Sequence, residues 1–171
     1  PVQFAHAPSP LVLPGNRILL CSGYANDTGA LILQLAQRGD KIVAEVAKRL
    51  TPKQFNSEQQ TPILYSDHIF GVRKRGGGQL VCLDLEGREI WNSGSDRFGH
   101  GPYLIADGLI FVMDNNGRLA MAEVTPAGYK PLGRFQAFED GHDAWGPMAL
   151  VSGRLILREM TRLVCLDVAP P

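Results

Sequence analysis

A sequence repeat is the feature that most constrains what this chain can fold into. The pentapeptide Leu80-Val81-Cys82-Leu83-Asp84 recurs as Leu163-Val164-Cys165-Leu166-Asp167. Four prolines mark successive repeat units at spacings of 52, 40 and 45 residues: Pro10, Pro62, Pro102 and Pro147. Repeats of this length are typical of supersecondary units that cannot bury their apolar faces alone and therefore stack on copies of themselves.

Each repeat unit has the pattern of short antiparallel strands. After each proline come an apolar pair, a second apolar run seven or eight residues on, and a third 16 to 21 residues on. Turns such as Glu86-Gly87 and Asn116-Gly117 separate the runs, and glycine allows the positive φ of a tight hairpin. Small four-stranded sheets stacked around an axis form a β-propeller. The sequence therefore predicts an all-β propeller of about four four-stranded antiparallel blades, at residues 8–50, 60–94, 100–138 and 145–168.

The segment after Asp40 leaves two interpretations open. Residues 41–50 place apolar side chains at helical spacing, with Asp40 as a possible N-cap. The repeat register instead aligns Lys41-Ile42-Val43 with Glu89-Ile90-Trp91, which makes the segment a fourth strand. We favour a strand over residues 41–46, followed by a long loop or a short helix before Pro62.

The charge balance argues against a general nucleic-acid-binding protein, and the hydropathy pattern excludes a membrane-spanning helix. The 171 residues include 17 basic and 17 acidic ones, whereas a general nucleic-acid binder carries a basic excess that neutralises phosphates. The longest uninterrupted apolar run, residues 109–113, is too short to span a bilayer. Residues 1–15 lack the charged start and the apolar stretch of a signal peptide.

The cysteine pattern favours a packing role. Cys21, Cys82 and Cys165 are odd in number and widely spaced. This pattern matches neither the close pairs of a zinc site nor a disulfide framework. Cys82 and Cys165 lie in near-identical contexts, and because a cysteine among alternating aliphatic residues is most often a small core side chain, we expect them to have that role.

The motifs resemble those of a known family. Residues 78–91 read Gly78-Gln79-Leu80-Val81-Cys82-Leu83-Asp84-Leu85-Glu86-Gly87-Arg88-Glu89-Ile90-Trp91, which resembles the pyrroloquinoline-quinone-like (PQQ-like) repeat. Residues 152–168 are similar to the last blade of bacterial PQQ-like propellers, among them proteins similar to the outer-membrane assembly lipoprotein. The resemblance implies a quinoprotein dehydrogenase-like propeller of periplasmic or otherwise exported location. Because complete members have about seven or eight blades, it also implies that these four units are part of a larger ring.

The last repeat unit lacks the sequence of an outermost strand. The segment Val2-Gln3-Phe4-Ala5 is one candidate for that strand. The remaining blades of a longer chain, a partner protein, or an oligomer that completes the ring are the others. An open half-ring would expose apolar blade faces that soluble monomers avoid.

Polar residues just ahead of the first strands form the candidate site. In propellers this segment lines the mouth of the central channel. His100 and Trp145 each lie two residues before a repeat proline, and Gln60 occupies the equivalent place in another unit. A pair such as His142 and Asp143 has the chemistry of an acid–base couple or a metal site. We favour the simpler interpretation, in which these side chains are polar because water fills the channel mouth.

The resemblance leads to two functional classes. Quinone-dependent members hold a metal, often calcium, with carboxylate and amide oxygens, and many contain an adjacent cysteine pair. This sequence has no Cys-Cys pair, and the run Asp114-Asn115-Asn116 is better explained as a turn. We therefore predict a non-catalytic scaffold that binds a protein, with no cofactor and no assigned catalytic or metal-binding residue. The alternative is an oxidoreductase or ligand-binding domain whose quinone or metal site is completed by blades outside this chain, with PQQ and calcium as its cofactors.

Overall fold

The structure, a computed structural model, describes residues 5–24 and 28–169. The chain divides into two compact units, one ending at Arg97 and the other beginning at Phe98. Within the described ranges, no helix is long and apolar enough to cross a membrane. Of the candidate outer strand, Val2, Gln3 and Phe4 lie outside the described residues, and the carbonyl of Ala5 accepts the N–H of Tyr24 at 3.2 Å.

The first unit contains two four-stranded antiparallel sheets, each a meander in chain order. Blade 1 consists of β1 (Leu11–Leu13), β2 (Arg17–Cys21), β3 (Ala30–Arg38) and β4 (Lys41–Leu50). Blade 2 consists of β5 (Ile63–Tyr65), β6 (His68–Arg73), β7 (Gln79–Leu83) and β8 (Glu89–Asn92). A tight turn, α1 (Arg75–Gly78), which is not helical at its two central glycines, joins β6 to β7. Gly76 and Gly77 have φ of +88° and +79° there, so this turn requires glycine.

The strand interpretation of residues 41–46 is confirmed, and the strand continues to Leu50. A short turn at Gly39, with φ of +60°, folds β4 back onto the long strand β3. The β-branched residues Ile42, Val43 and Val46 suit an extended backbone. Residues 51–62 contain turns and no helix.

The second unit contains two further antiparallel meanders. Blade 3 consists of β9 (Tyr103–Ala106), β10 (Leu109–Met113), β11 (Arg118–Glu123) and β12 (Pro131–Gln136). Blade 4 has three strands, β13 (Ala149–Val151), β14 (Arg154–Arg158) and β15 (Leu163–Asp167).

The four repeat prolines occupy equivalent places in the backbone. Pro10, Pro62 and Pro102 directly precede the first strand of their blades, and Pro147 precedes β13 by two residues. A proline at this point removes an N–H donor where strand pairing has barely begun. The repeat seen in the sequence is therefore the structural repeat of the blades.

The same five-residue turn closes two of the hairpins, β7–β8 and β10–β11. Oδ1 of Asp84 accepts the backbone N–H groups two and four residues further on, at 2.9 and 2.8 Å. Oδ1 of Asp114 accepts the equivalent pair at 2.9 and 3.0 Å. Gly87 and Gly117 supply the positive φ, at +70° and +77°. The pattern Asp-x-x-Gly-Arg thus encodes the turn locally.

Cys21 and Cys82 are buried, and the expectation of a core side chain is confirmed for Cys82. Burial raises the pKa of Cys21 to about 11 and that of Cys82 to about 12, because it disfavours the thiolate. The expectation is wrong for Cys165, which is exposed. Cys82 lies on a central strand opposite Trp91 of β8, whereas Cys165 lies on β15, the last strand of a three-stranded sheet.

Each unit has its own apolar core. In the first unit Leu19, Ile32, Phe55 and Ile69 are at most 1% exposed and belong to one packed cluster. In the second unit, the core cluster is formed by residues that include Met113, Phe138, Leu155 and Leu157. Burial of these side chains is the main stabilising contribution in each unit.

Candidate functional site

Three of the five predicted site residues lie on one segment of the second unit. Residues 137–148, which we call the blade 3–4 connector, run from the end of β12 to β13. His142 is exposed on it, and Asp143 and Trp145 are half-buried. The connector has no regular secondary structure, and both backbone and side-chain hydrogen bonds hold it against the blades.

Asn115 holds the connector in place. Its Oδ1 accepts the indole Nε1–H of Trp145 at 3.0 Å and the backbone N–H of His100 at 2.9 Å. Its carbonyl accepts the N–H of Ala144 at 3.3 Å. Because Asn115 lies in the β10–β11 turn, one turn residue organises both the segment entering blade 3 and the segment entering blade 4.

The structure brings two of the predicted residues into contact. The rings of His100 and Trp145 lie 5.0 Å apart, centroid to centroid, at an interplanar angle of 78°. This edge-to-face geometry is favourable for aromatic pairs. The two residues hold equivalent positions before their repeat prolines, and Asn115 joins them.

The other predicted residues are not part of this contact. Nδ1 of His142 lies 3.4 Å from Oδ2 of Asp143, on an exposed surface. That separation is too long for a strong hydrogen bond. Gln60 lies in the first unit, and its carbonyl accepts a hydrogen bond from the hydroxyl of Ser57. The assignment of all five residues to a channel mouth stays a prediction.

Arg162 anchors the connector from the β14–β15 turn. Its Nη2 donates to the carbonyl of Glu139 at 2.7 Å, and its guanidinium carbon lies 5.7 Å from the centroid of the Phe138 ring. Its Nε donates to Oε1 of Glu159 at 2.9 Å. Glu159 is 2% exposed and also accepts the hydroxyl of Thr161 at 2.8 Å. The hydrogen bond from Arg162, followed by that from Thr161, lowers the pKa of Glu159 to about 2 although burial opposes the shift.

The first unit uses an asparagine in a similar way. Asn56 is 1% exposed and precedes blade 2. Its Oδ1 accepts the N–H of Ser22 at 2.9 Å, and its Nδ2 donates to the carbonyl of Gly23 at 3.1 Å. Its own carbonyl accepts the N–H of Lys74 at 2.8 Å. In each unit, an amide side chain therefore ties an inter-strand turn to a segment that enters a blade.

The residues that shape the site are not among those predicted from the sequence. Asn115 is identifiable there only as part of a turn, and the prediction does not include Glu159 or Arg162. A usable signal existed for Glu159, because an acidic residue at the end of a second strand also opens the β10–β11 turn at Asp114. The burial of Glu159 could not be predicted from the sequence, because it results from tertiary packing.

The oxygen-rich run at 114–116 does not fit a calcium-assisted quinone site. Oδ1 of Asp114 accepts two backbone N–H groups, which confirms its interpretation as a turn residue. Oδ1 of Asn115 is engaged by His100 and Trp145. Over residues 5–24 and 28–169, no three His, Cys, Asp or Glu side chains are grouped closely enough to hold a metal ion.

Replacing Asn115 by alanine is expected to expose Trp145 and to lower the free energy of unfolding by about 2 kcal/mol, because two donors lose their acceptor. The measurement is the emission maximum of Trp145 in a Trp91→Phe background, which should move to longer wavelength, together with urea denaturation. Asn115→Asp retains Oδ1 and is the matched control. An unshifted spectrum in the alanine variant would contradict the role given to Asn115.

Lowering the pH is expected to remove the stabilisation that Glu159 supplies. The folded-state pKa of about 2 lies below the ordinary value of 4.5, so this contribution is complete above about pH 5 and disappears as the pH falls towards 2. Urea midpoints of the native chain and Glu159→Gln should therefore differ at pH 7 and converge near pH 2. A constant difference between them over this range would show that the carboxylate charge has no part in it.

Comparison with known proteins identifies the fold. No family model and no curated protein matches the sequence. Among solved structures, the crystal structure of BamB from Moraxella catarrhalis is similar at 11% identity with a TM-score of 0.54, over 95% of this chain and 58% of that one. The computationally designed Ika8 protein is similar at 8% identity with a TM-score of 0.51, over 92% and 57%. The chain thus has a β-propeller fold and spans less than two thirds of either neighbour.

Proposed function

We propose that this chain is a non-catalytic propeller scaffold that binds a protein through the blade 3–4 connector. The observation that most supports this is that the connector presents polar side chains on a backbone that hydrogen bonds hold in place. His142 is exposed and Asp143 is half-buried, while Asn115 and Arg162 hold the residues on either side of them. A binding segment fixed before it meets its partner loses less conformational entropy on association.

The finer family assignment is also a proposal. The motif in residues 78–91 and the likeness to BamB support a PQQ-like repeat protein of periplasmic or otherwise exported location. The chain spans 58% of BamB, which supports the proposal that further blades or a partner complete a ring of seven or eight blades. Residue equivalence between units supports a channel mouth formed by Gln60, His100, His142, Asp143 and Trp145.

We propose that this scaffold acts without a cofactor. In the oxygen-rich run at 114–116, Oδ1 of Asp114 accepts backbone N–H groups and Oδ1 of Asn115 accepts the indole N–H of Trp145. The alternative, an oxidoreductase or ligand-binding domain completed by outside blades, requires a quinone or metal site elsewhere. Neither the connector nor its anchors supply one.

The test is affinity capture from an extract of the cells that produce the protein. Wild type is compared with His142→Ala/Asp143→Ala and with the control Leu132→Ser, which alters an exposed residue of β12. A protein retained by wild type and by the control, but at least about tenfold less by the double variant, supports the proposal. Equal retention by all three overturns it, as does quinone-dependent turnover by a chain that retains no protein.

A further inference from the structure

The β6–β7 turn, residues 74–78, combines glycine with positive charge. It lies within the run Arg73-Lys74-Arg75-Gly76-Gly77-Gly78. Its backbone changes from right-handed at Lys74, with φ/ψ of −52°/−50°, to left-handed at Gly76 and Gly77, with φ/ψ of 88°/16° and 79°/24°. Such a change directs successive backbone N–H groups towards one side of a turn, where they form a concavity that binds anions.

Two N–H groups of the β6–β7 turn are open to an acceptor from outside the chain. Among the residues that the structure describes, no atom accepts a hydrogen bond from the backbone N–H of Gly76 or from that of Gly77. Both glycines are exposed. An incoming anion can therefore reach these two donors without displacing an internal acceptor.

The corresponding turns of the second unit contain an acceptor of their own. Asp114 in blade 3 and Glu159 in blade 4 begin these turns, and the N–H of each donates to the carbonyl of the arginine that ends the turn. Oδ1 of Asp114 accepts two backbone N–H groups of its turn at 2.9 and 3.0 Å. Oε1 of Glu159 accepts the N–H of Thr161 at 3.2 Å and the Nε–H of Arg162 at 2.9 Å. In both turns, a carboxylate thus receives the donors.

Blade 2 has a cation where blades 3 and 4 have this carboxylate. The residue that begins its turn is Arg73, which is paired with Gln79 across the hairpin. Nη2 of Arg73 donates to Oε1 of Gln79, and Nη1 donates to Oε2 of Glu89. The carboxylate that completes the other two turns is therefore not supplied by the equivalent residue of blade 2.

Arg97 holds a positive charge beside the β6–β7 turn. A Cβ built at Gly77 would lie 3.2 Å from Cδ and 3.6 Å from Nε of Arg97, so the arginine side chain lies directly against this glycine. Nη1 of Arg97 donates to the carbonyls of Gly94 and Asp96. Over the described ranges, its guanidinium forms no ion pair with a carboxylate. Its charge is thus held in place by neutral acceptors.

We propose that the β6–β7 turn binds the carboxylate group of an external ligand, with the N–H groups of Gly76 and Gly77 as donors and the guanidinium of Arg97 as the cation. The ligand takes the part that Asp114 and Glu159 play in their own turns. Hydrogen bonds from guanidinium and backbone N–H groups to a carboxylate are charge-assisted and strong. This site belongs to the first unit and does not depend on the blade 3–4 connector or on the scaffold function proposed for it.

The probe is sodium succinate, a dicarboxylate, titrated into the ¹⁵N-labelled 171-residue chain while sodium chloride keeps the ionic strength constant. The amide resonances of Gly76 and Gly77 are expected to shift and to reach saturation. The amides of Asn116 and Arg118 are the internal control, because they already donate to Asp114. Their resonances should stay unchanged.

Two pairs of variants identify the groups that bind. Arg97→Gln should raise the succinate dissociation constant at least about tenfold, because a charge-assisted hydrogen bond is lost. Arg49→Gln removes the same charge from an exposed position on β4 and should bind like wild type. Gly77→Ala should also weaken binding, because its Cβ displaces Arg97. Its control is Gly39→Ala, since Gly39 has a φ of +60° but no atom within 4 Å of a Cβ built there.

Saturable shifts that Arg97→Gln weakens and Arg49→Gln does not would support the proposal. Equal weakening by the two arginine variants would show a general attraction to positive charge and would overturn it. Shifts that stay linear in succinate, or that chloride alone reproduces, indicate an adventitious ion only and also overturn it. Tighter saturation by inorganic phosphate than by succinate would refute the assignment to a carboxylate. Because Arg97 is exposed, its variant remains informative even if Gly77→Ala does not fold.

Discussion

Replacing Gly101 by alanine is expected to lower the free energy of unfolding by about 3 kcal/mol or more. A Cβ at this position would lie 1.5 Å from the carbonyl oxygen of Met113 and 2.8 Å from that of Phe98. Neither backbone group is free to move away. The N–H of Met113 donates to the carbonyl of Pro102 at 3.0 Å, and the N–H of Gly101 donates to Phe98 at 2.9 Å. Urea denaturation measures the loss.

Gly133→Ala is the matched control for that substitution. No atom lies within 4 Å of a Cβ built at Gly133, so we expect a change of no more than about 0.5 kcal/mol. If the two alanine variants were equally stable, the close approach of the blade 3 backbone at Gly101 would be refuted.

Replacing Phe138 by alanine is expected to cost about 4 kcal/mol of stability. Phe138 is 2% exposed. The backbone of the β10–β11 turn and of the connector lies against it, because a Cβ at Gly117 or Gly141 would come within 2.8 or 2.9 Å of the Phe138 Cβ. Closely packed backbone on two sides limits how far the structure can relax into the cavity left by the ring. The loss of stability should therefore be close to the full value for a buried phenylalanine.

Phe135→Ala provides the comparison, since Phe135 is 55% exposed on the adjacent strand β12. Its loss should cost less than about 1 kcal/mol. Thermal and urea denaturation of both variants measure the contrast. Similar losses from the two truncations would mean that Phe138 is not the core residue of this connector.

The positions of the strands could be predicted from the sequence because they depend on local chemistry. Repeat prolines, glycine turns and apolar runs each report on a few neighbouring residues, and the blades follow them. The exposure of Cys165 could not be predicted in the same way. Cys82 and Cys165 share a pentapeptide, but β8 lies beside Cys82 whereas no described strand lies on the outer side of Cys165.

The candidate site was predicted less completely, for a related reason. The equivalence of His100 and Trp145 follows from their distance to a proline, but the residue that hydrogen-bonds to both is Asn115, 30 residues before Trp145. Side-chain hydrogen bonds over such separations leave no periodic pattern. One missed feature did have a signal: every connector after a four-stranded blade contains one buried phenylalanine, at Phe55, Phe98 and Phe138.

The meander order of the four sheets has a kinetic consequence. Each strand described here pairs with its neighbour in the chain, and Asp-x-x-Gly-Arg turns pre-form two of those hairpins. Loop closure over so few residues takes on the order of microseconds or less. Hairpins can therefore assemble before distant segments meet, and docking of blade on blade becomes the slow step on the route from nascent chain to native state.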